Sequence, residues 1–251
     1  MQKNSNGTLA VVGLGFHELM SPLATNLLSS ADVVAGYKRY IDEAKPYLNE
    51  KQEIFQTGMR HEIERVEYAV KQAVAGRRAC IVCGGDPSIY GMASLAYELA
   101  ATHKLATGNG VEITVAPSVT AAMAASARLG APISEDVVLL SLSDQLTPWN
   151  VIEKRIDAVN VGDFVCALYN PASLTRKEQL PYTLKKFRER GNLVIGAVRN
   201  AFRDREELYI ATIDDFALGF VDMLTLIIVG NTRTRLIDGK MVTPRGYKVN
   251  E

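Results

Sequence analysis

The sequence predicts an α/β protein of two domains. Short apolar runs alternate with amphipathic stretches of helical period, and the runs repeatedly end in glycine, proline or asparagine turns. A chain of 251 residues suits one large core or two of ordinary size.

Residues 9–12 form the first apolar strand, which ends in Gly13-Leu14-Gly15. Ser21 and Pro22 then open a helix over 22–30: the serine hydroxyl accepts a free helix N–H, and proline at the first helical position has no N–H to lose. A second strand, 32–36, runs into Tyr37-Lys38-Arg39-Tyr40. Over 61–75 the residues Ile63, Val66, Ala69, Val70 and Val74 share one helical face. The strand 79–83 meets Gly84-Gly85-Asp86-Pro87, a helix continues through 95–101, and a strand over 111–116 follows Gly108-Asn109-Gly110. Such alternation points to a mostly parallel sheet covered by helices.

Pro117-Ser118-Val119-Thr120 leads into an alanine-rich helix, 121–129. We place the domain boundary here, with an N-terminal domain of 1–116 and a C-terminal domain of 117–251. Beyond Ala131 the runs 137–142, 164–168, 193–198, 209–212 and 225–229 read as strands, with helices over 150–157 and 177–190 between them. This second α/β domain is expected to include some antiparallel pairing.

With 28 basic and 28 acidic residues the formal net charge is zero, so no basic field marks a nucleic acid or membrane partner. No apolar run reaches the length of a bilayer span, and the first seven residues lack the apolar centre of a signal peptide. A cytoplasmic protein is expected. Cys80, Cys83 and Cys166 are too few and too badly placed for a disulfide framework. The C-x-x-C at 80–83 lies inside an apolar strand and reads as small core residues. His17, His61 and His103 are scattered, so no protein-bound metal is expected.

The Gly84-Gly85-Asp86-Pro87 turn is the first candidate binding feature. Strand ends in open parallel sheets leave backbone N–H groups beside a helix N-terminus, and Asp86 adds a fixed carboxylate while Pro87 stiffens the turn. Gly13-Leu14-Gly15 lacks the third glycine of a dinucleotide fingerprint, Glu18 standing in its place, and reads as a tight turn. Thr147 caps a helix that has Pro148 at its first turn and the single tryptophan, Trp149, beside it. Tyr169-Asn170-Pro171, Arg199-Asn200 with Arg203 and Arg205, and the run from Gly230 to Arg235 each close a strand with amide, hydroxyl or guanidinium groups. Each suits a turn as well as a ligand. Together they favour a single cleft between two domains.

These blocks, with Tyr90-Gly91-Met92, Ser141-Leu142-Ser143-Asp144, Val229-Gly230-Asn231-Thr232 and the run from Met241 to Tyr247, resemble the tetrapyrrole methylases. More narrowly, they resemble the C17-methyltransferases acting on precorrin-3B or cobalt-precorrin-3 in cobalamin synthesis. The likeness extends from Leu9 to Tyr247. Two departures stand out: Phe16-His17-Glu18 follows the first turn where proline and glycine are usual, and Ser118 occupies a usual glycine position.

The resemblance implies two mixed sheets flanked by helices with the active-site cleft between them, S-adenosylmethionine as methyl donor with S-adenosylhomocysteine as product, no protein-bound metal, and a homodimer. It places cofactor contacts at Phe16, Asp86, Ile89, Thr120, Ala121, Asn170, Ala201 and Gly230. A macrocycle bearing several carboxylates would be met by Lys38, Arg39, Arg199, Arg203, Arg233 and Arg245. Ring contraction accompanies the family reaction, and Asp144, His17 and Ser143 are candidate proton-transfer groups. The alternatives are methylation at another position of the corrin precursor and a tetrapyrrole-binding protein without turnover.

Overall fold

The computed structural model describes residues 7–16, 19–108, 110–173 and 175–248. Within it the chain forms two compact units, Met1–Thr120 and Ala121–Glu251. The expected boundary at 116/117 lies in the same connection.

The first unit is built on β1 (Thr8–Gly13), β2 (Val33–Tyr37), β3 (Glu53–Thr57), β4 (Arg78–Cys83) and β5 (Glu112–Ala116). They form one sheet in the order β3-β2-β4-β1-β5, every neighbouring pair parallel. β1 and β4 are buried along all but their first residue, as strands covered on both faces must be. One face carries α3 (Glu62–Val74) and α4 (Ala93–Thr107), whose Val66, Ala69, Val70, Ala73, Ala96 and Ala100 pack on Leu9, Val11 and Ile81. The other carries α1 (Pro22–Ser30) and α2 (Lys38–Ala44), with Leu28 and Ile41 against Val12, Val34 and Val82.

Ser21 caps α1 as read, its Oγ accepting from Ala24 N at 3.2 Å with Pro22 in the first turn. α3 departs from its expected face at one end: Ile63 is 62% exposed, while Ala73, not singled out beforehand, is fully buried. The buried stripe follows i, i+3, i+4, i+7 from Val66, and Ile63 belongs to the turn before it. β3 escaped detection because it is an edge strand, with exposed Glu53, Ile54 and Gln56 and so no continuous apolar run. Cys80 and Cys83 are core residues, and burial pushes the Cys83 thiol up to about 12.

The second unit holds α5 (Ala121–Leu129), β6 (Gly130–Ala131), β7 (Val137–Ser141), α6 (Trp149–Val161), β8 (Val165–Tyr169), α7 (Gln179–Phe187), β9 (Val194–Arg199), β10 (Glu207–Thr212), β11 (Thr225–Val229), β12 (Arg235–Ile237) and β13 (Lys240–Val242). Its main sheet has the order β10-β9-β11-β8-β7. β7 and β8 are parallel, whereas β11 runs against both β8 and β9, and β10 against β9. A small sheet, β12-β13-β6, completes the unit. α6 and α7 cover one face through Ile152, Ile156, Leu184 and Phe187, and α5 covers the other through small residues. Its approach is close: a Cβ on Gly196 of β9 would lie 2.7 Å from Leu129.

At α6 the cap differs from expectation. Pro148 is itself the N-cap, with φ −56° and ψ 141°, and no side chain caps the helix. Thr147 therefore lies one residue too early. Trp149 instead packs edge-on against Tyr182 of α7, ring centroids 5.4 Å apart.

Candidate functional site

Because all five strands of the first unit are parallel, their carboxyl ends share one edge of the sheet, and three loops meet there. Gly13, the last residue of β1, is enclosed: an added Cβ would lie 2.2 Å from the Gly85 carbonyl oxygen, 2.8 Å from Pro87 Cδ and 2.9 Å from Ser118 Cβ. Gly15, at φ +56°, bridges back to Gly85, a conformation that glycine adopts without a steric penalty.

Asp86 fastens this edge. One carboxylate oxygen accepts from Ser88 N at 2.8 Å and the other from Ser118 N at 2.8 Å. The residue expected to contact the cofactor thus ties the Gly-Asp-Pro turn to the loop after β5. Ser118 does not have a left-handed backbone, so serine occupies this usual glycine position without strain. Its Oγ is buried beside Gly15 and has no hydrogen-bond partner among the described residues. The helix after the turn begins at Ala93, two residues before the stretch 95–101 read as helical, once Tyr90 has taken φ +53°.

The other candidates in this unit fall as follows. Phe16 is 4% exposed, so its ring belongs to the interior. Ile89 N donates to the Asp86 carbonyl at 3.3 Å within the turn, and Thr120 is buried. Lys38 and Arg39 begin α2 and line an open groove of about 710 Å³ with Tyr37, Asp42, Glu43, Gly58 and Met59. Arg39 is paired there with Glu43 at 3.0 Å. His17 lies outside the described residues.

In the second unit β7, β8 and β9 present their carboxyl ends at one edge, together with the start of β11. Asn170 and Asn200 close β8 and β9 in the left-handed region, at φ +51° and +52°, which asparagine tolerates better than most residues. Asn170 Nδ2 donates to Ser141 Oγ at 3.0 Å, and Gln179 Nε2 donates to Asp144 at 2.9 Å. Tyr169 Oη accepts from Ala122 N at 3.0 Å, fixing the first turn of α5, where Ala121 stands. Ala201 is buried inside the turn after β9, and Arg203 N donates to the Asn200 carbonyl at 2.9 Å. Arg199 is paired with Glu207 at 2.5 Å and lies over the Phe220 ring.

Gly230 and Arg233 do not join this edge. Val229 pairs with Cys166 and Ile195, near the starts of β8 and β9, and Gly230 N donates to the Val194 carbonyl at 2.9 Å. The antiparallel course of β11 carries Gly230 about 15 Å of strand, taking roughly 3.4 Å per residue, from Asn170 and Ala201. Gly230 is needed for packing, since an added Cβ would lie 2.5 Å from Thr234. Arg233 is ion-paired with Glu135. At the carboxyl edge β11 instead contributes its beginning, where the Leu224 carbonyl accepts from Asn200 N at 3.2 Å and Met223 and Leu224 are exposed. Arg245, beyond β13, is exposed.

A sequence profile described as Tetrapyrrole (Corrin/Porphyrin) Methylases matches residues 8–217. The chain belongs to the tetrapyrrole methylases. It is 43% identical over 246 residues to a cobalamin biosynthesis protein, CbiHC, of Archaeoglobus fulgidus, covering 97% of this chain and 53% of that one. It therefore spans about half the length of that relative. A probable cobalt-factor III C(17)-methyltransferase of Salmonella typhimurium is 42% identical over 243 residues, covering 95% of this chain and 99% of that one. Among solved structures, that of the methyltransferase CobJ matches with a TM-score of 0.89 at 33% identity, over 95% of this chain and 100% of that one.

In this tetrapyrrole methylase two of the buried polar groups without a partner among the described residues lie at these strand edges. The first unit holds the Ser118 hydroxyl, and the second a buried guanidinium, that of Arg176, whose Nε has no acceptor among the described residues. Sequence reading missed Arg176 because nothing in its local pattern distinguishes a buried arginine from a solvated one. Among the described residues no group of three or more His, Cys, Asp or Glu is placed to hold a metal ion, and no helix is long and apolar enough to cross a membrane.

Proposed function

We propose that the chain transfers a methyl group from S-adenosylmethionine to C17 of a cobalt-factor III or precorrin-3B type macrocycle, with ring contraction, as a cytoplasmic homodimer in cobalamin biosynthesis. The observation that carries this reading is the end-to-end likeness to the Salmonella methyltransferase, which leaves almost none of either chain unmatched. Bound S-adenosylmethionine supplies a methyl group on a sulfonium, ready for a carbon nucleophile.

The contribution of the chain is then placement. In-line displacement depends on alignment and on exclusion of water more than on any one side chain. The enclosed Gly13 and the Asp86 clamp give one strand edge a fixed shape. Main-chain groups around Phe16, Ile89, Thr120, Ala121, Asn170 and Ala201 serve the cofactor, and the exposed Met223 and Leu224 offer an apolar surface to its base. Asp144 and Ser143 are the described candidates for proton transfer during ring contraction, both beside the end of β7.

Purified protein incubated with methyl-labelled S-adenosylmethionine and either macrocycle, followed by mass spectrometry and NMR, tests the proposal. One added methyl at C17 and an equivalent of S-adenosylhomocysteine are expected. A methyl on another carbon refutes the positional assignment, and binding without S-adenosylhomocysteine formation refutes turnover.

A further inference from the structure

Arg176 follows β8 and lies beneath the edge formed by Ser141, Ser143 and Asn170. It is 8% exposed. Nη2 donates to the Asn170 carbonyl at 3.0 Å, Nη1 reaches Ser143 Oγ at 3.5 Å, and Nε is buried with no acceptor among the described residues. A guanidinium carries five N–H donors, so about three are left without an acceptor among the described residues. Among the described residues Arg176 makes no ion pair within 4.0 Å.

What distinguishes Arg176 is the missing carboxylate partner. Arg39, Arg199 and Arg233 each hold a protein carboxylate. Arg190 is also deeply buried, and its Nε and Nη2 likewise find no acceptor among the described residues, yet it pairs with Asp163 at 3.3 Å and donates to the Phe164 carbonyl. Burial pushes the Arg176 guanidinium below its usual range, and Asp144, itself held by Gln179, only partly opposes that shift. A buried cation with one good hydrogen bond is costly to keep, and its planar fork matches a carboxylate.

We propose that Arg176, with the Ser143 hydroxyl, is a carboxylate receptor at the carboxyl edge of β7 and β8. The inference rests on the proposed methyl transfer, whose two ligands both bring carboxylates: the peripheral acids of the macrocycle and the amino acid end of the nucleoside. The incoming carboxylate takes the unused N–H donors and neutralises the charge.

The test is a pair of titrations on wild type, Arg176→Met and Arg176→Lys, with S-adenosylhomocysteine read by calorimetry and cobalt-factor III read by absorbance. Arg176→Met is expected to weaken one ligand at least tenfold and leave the other within twofold, with partial recovery in Arg176→Lys. The weakened ligand identifies the source of the carboxylate. If both ligands stay within twofold, the receptor is refuted while the methyltransferase reading stands. If wild type binds neither, that reading fails and the receptor with it. Should Arg176→Met not fold, wild type titrated with the methyl esters of cobalt-factor III and with methylthioadenosine, which lacks the amino acid end, decides the matter. Tenfold weaker binding of either supports a carboxylate receptor, and unchanged binding of both overturns it.

Discussion

Asp86 shows how a side chain of the right chemistry at a strand end can be taken up by the protein's own backbone. Each of its oxygens already accepts an N–H, from Ser88 and from Ser118, so its charge stabilises the meeting of two loops. Hydrogen bonds to a charged group contribute about 1.5–3 kcal/mol each, and Asp86→Ala is expected to lower stability by roughly 3 kcal/mol in urea unfolding. S-adenosylhomocysteine binding should weaken at least tenfold in the same variant, and Asp86→Asn should fall between. Unchanged stability would show that the clamp contributes nothing. Asn170 and Asn200 make a similar point: in the sequence they offer amides, yet each also serves by accepting a left-handed backbone. Residue type was legible at all three positions. Partners were not, since Ser118 is remote from Asp86 in sequence.

At the scale of elements, local signals held where the determinant was local. Ser21 and Pro22 place α1 as read, and the alanine-rich helix begins and ends at Ala121 and Leu129. Strand direction was a different matter, for an apolar run reads identically in either sense; β11 therefore misled the placement of Gly230 and Arg233. Strand beginnings carry their own electrostatics. Asp32, just before β2, accepts from Arg78 N at 2.9 Å and pairs with its guanidinium at the start of β4. Those Arg78 hydrogen bonds hold its carboxyl down to about 2. A depressed carboxylate pKa stabilises the fold above the unfolded value near 4, and that contribution disappears as pH falls from there to about 2. Urea midpoints should therefore drop more steeply across this interval in wild type than in Asp32→Asn. Parallel curves would refute the linkage.

At the scale of the whole molecule, binding of the nucleoside product provides a single readout of the proposed function. A ligand that binds only the folded chain at 100 times its Kd stabilises by about 2.7 kcal/mol. For a chain of this size that is a rise in Tm of roughly 5–10 °C. Differential scanning fluorimetry with S-adenosylhomocysteine is expected to show it, and adenosine at the same concentration to show less. No shift at saturating ligand would contradict the proposed cofactor.

The sequence by itself determined what depends on near neighbours: the strand and helix alternation, the helix start at Ser21, the glycine turns, the burial of the cysteines and the blocks that resemble the tetrapyrrole methylases. Edge strand β3 and the hairpin of β12 and β13 stayed hidden, because strands exposed on one side lack a continuous apolar run. Only the tertiary structure decided which strand ends share an edge, that Asp86 is engaged by Ser118, and that Arg176 is buried without a carboxylate while Arg39, Arg199 and Arg233 have one. The physical reason is that burial and charge pairing are set by residues distant in the chain, whereas periodicity and capping are set within a turn or two of helix.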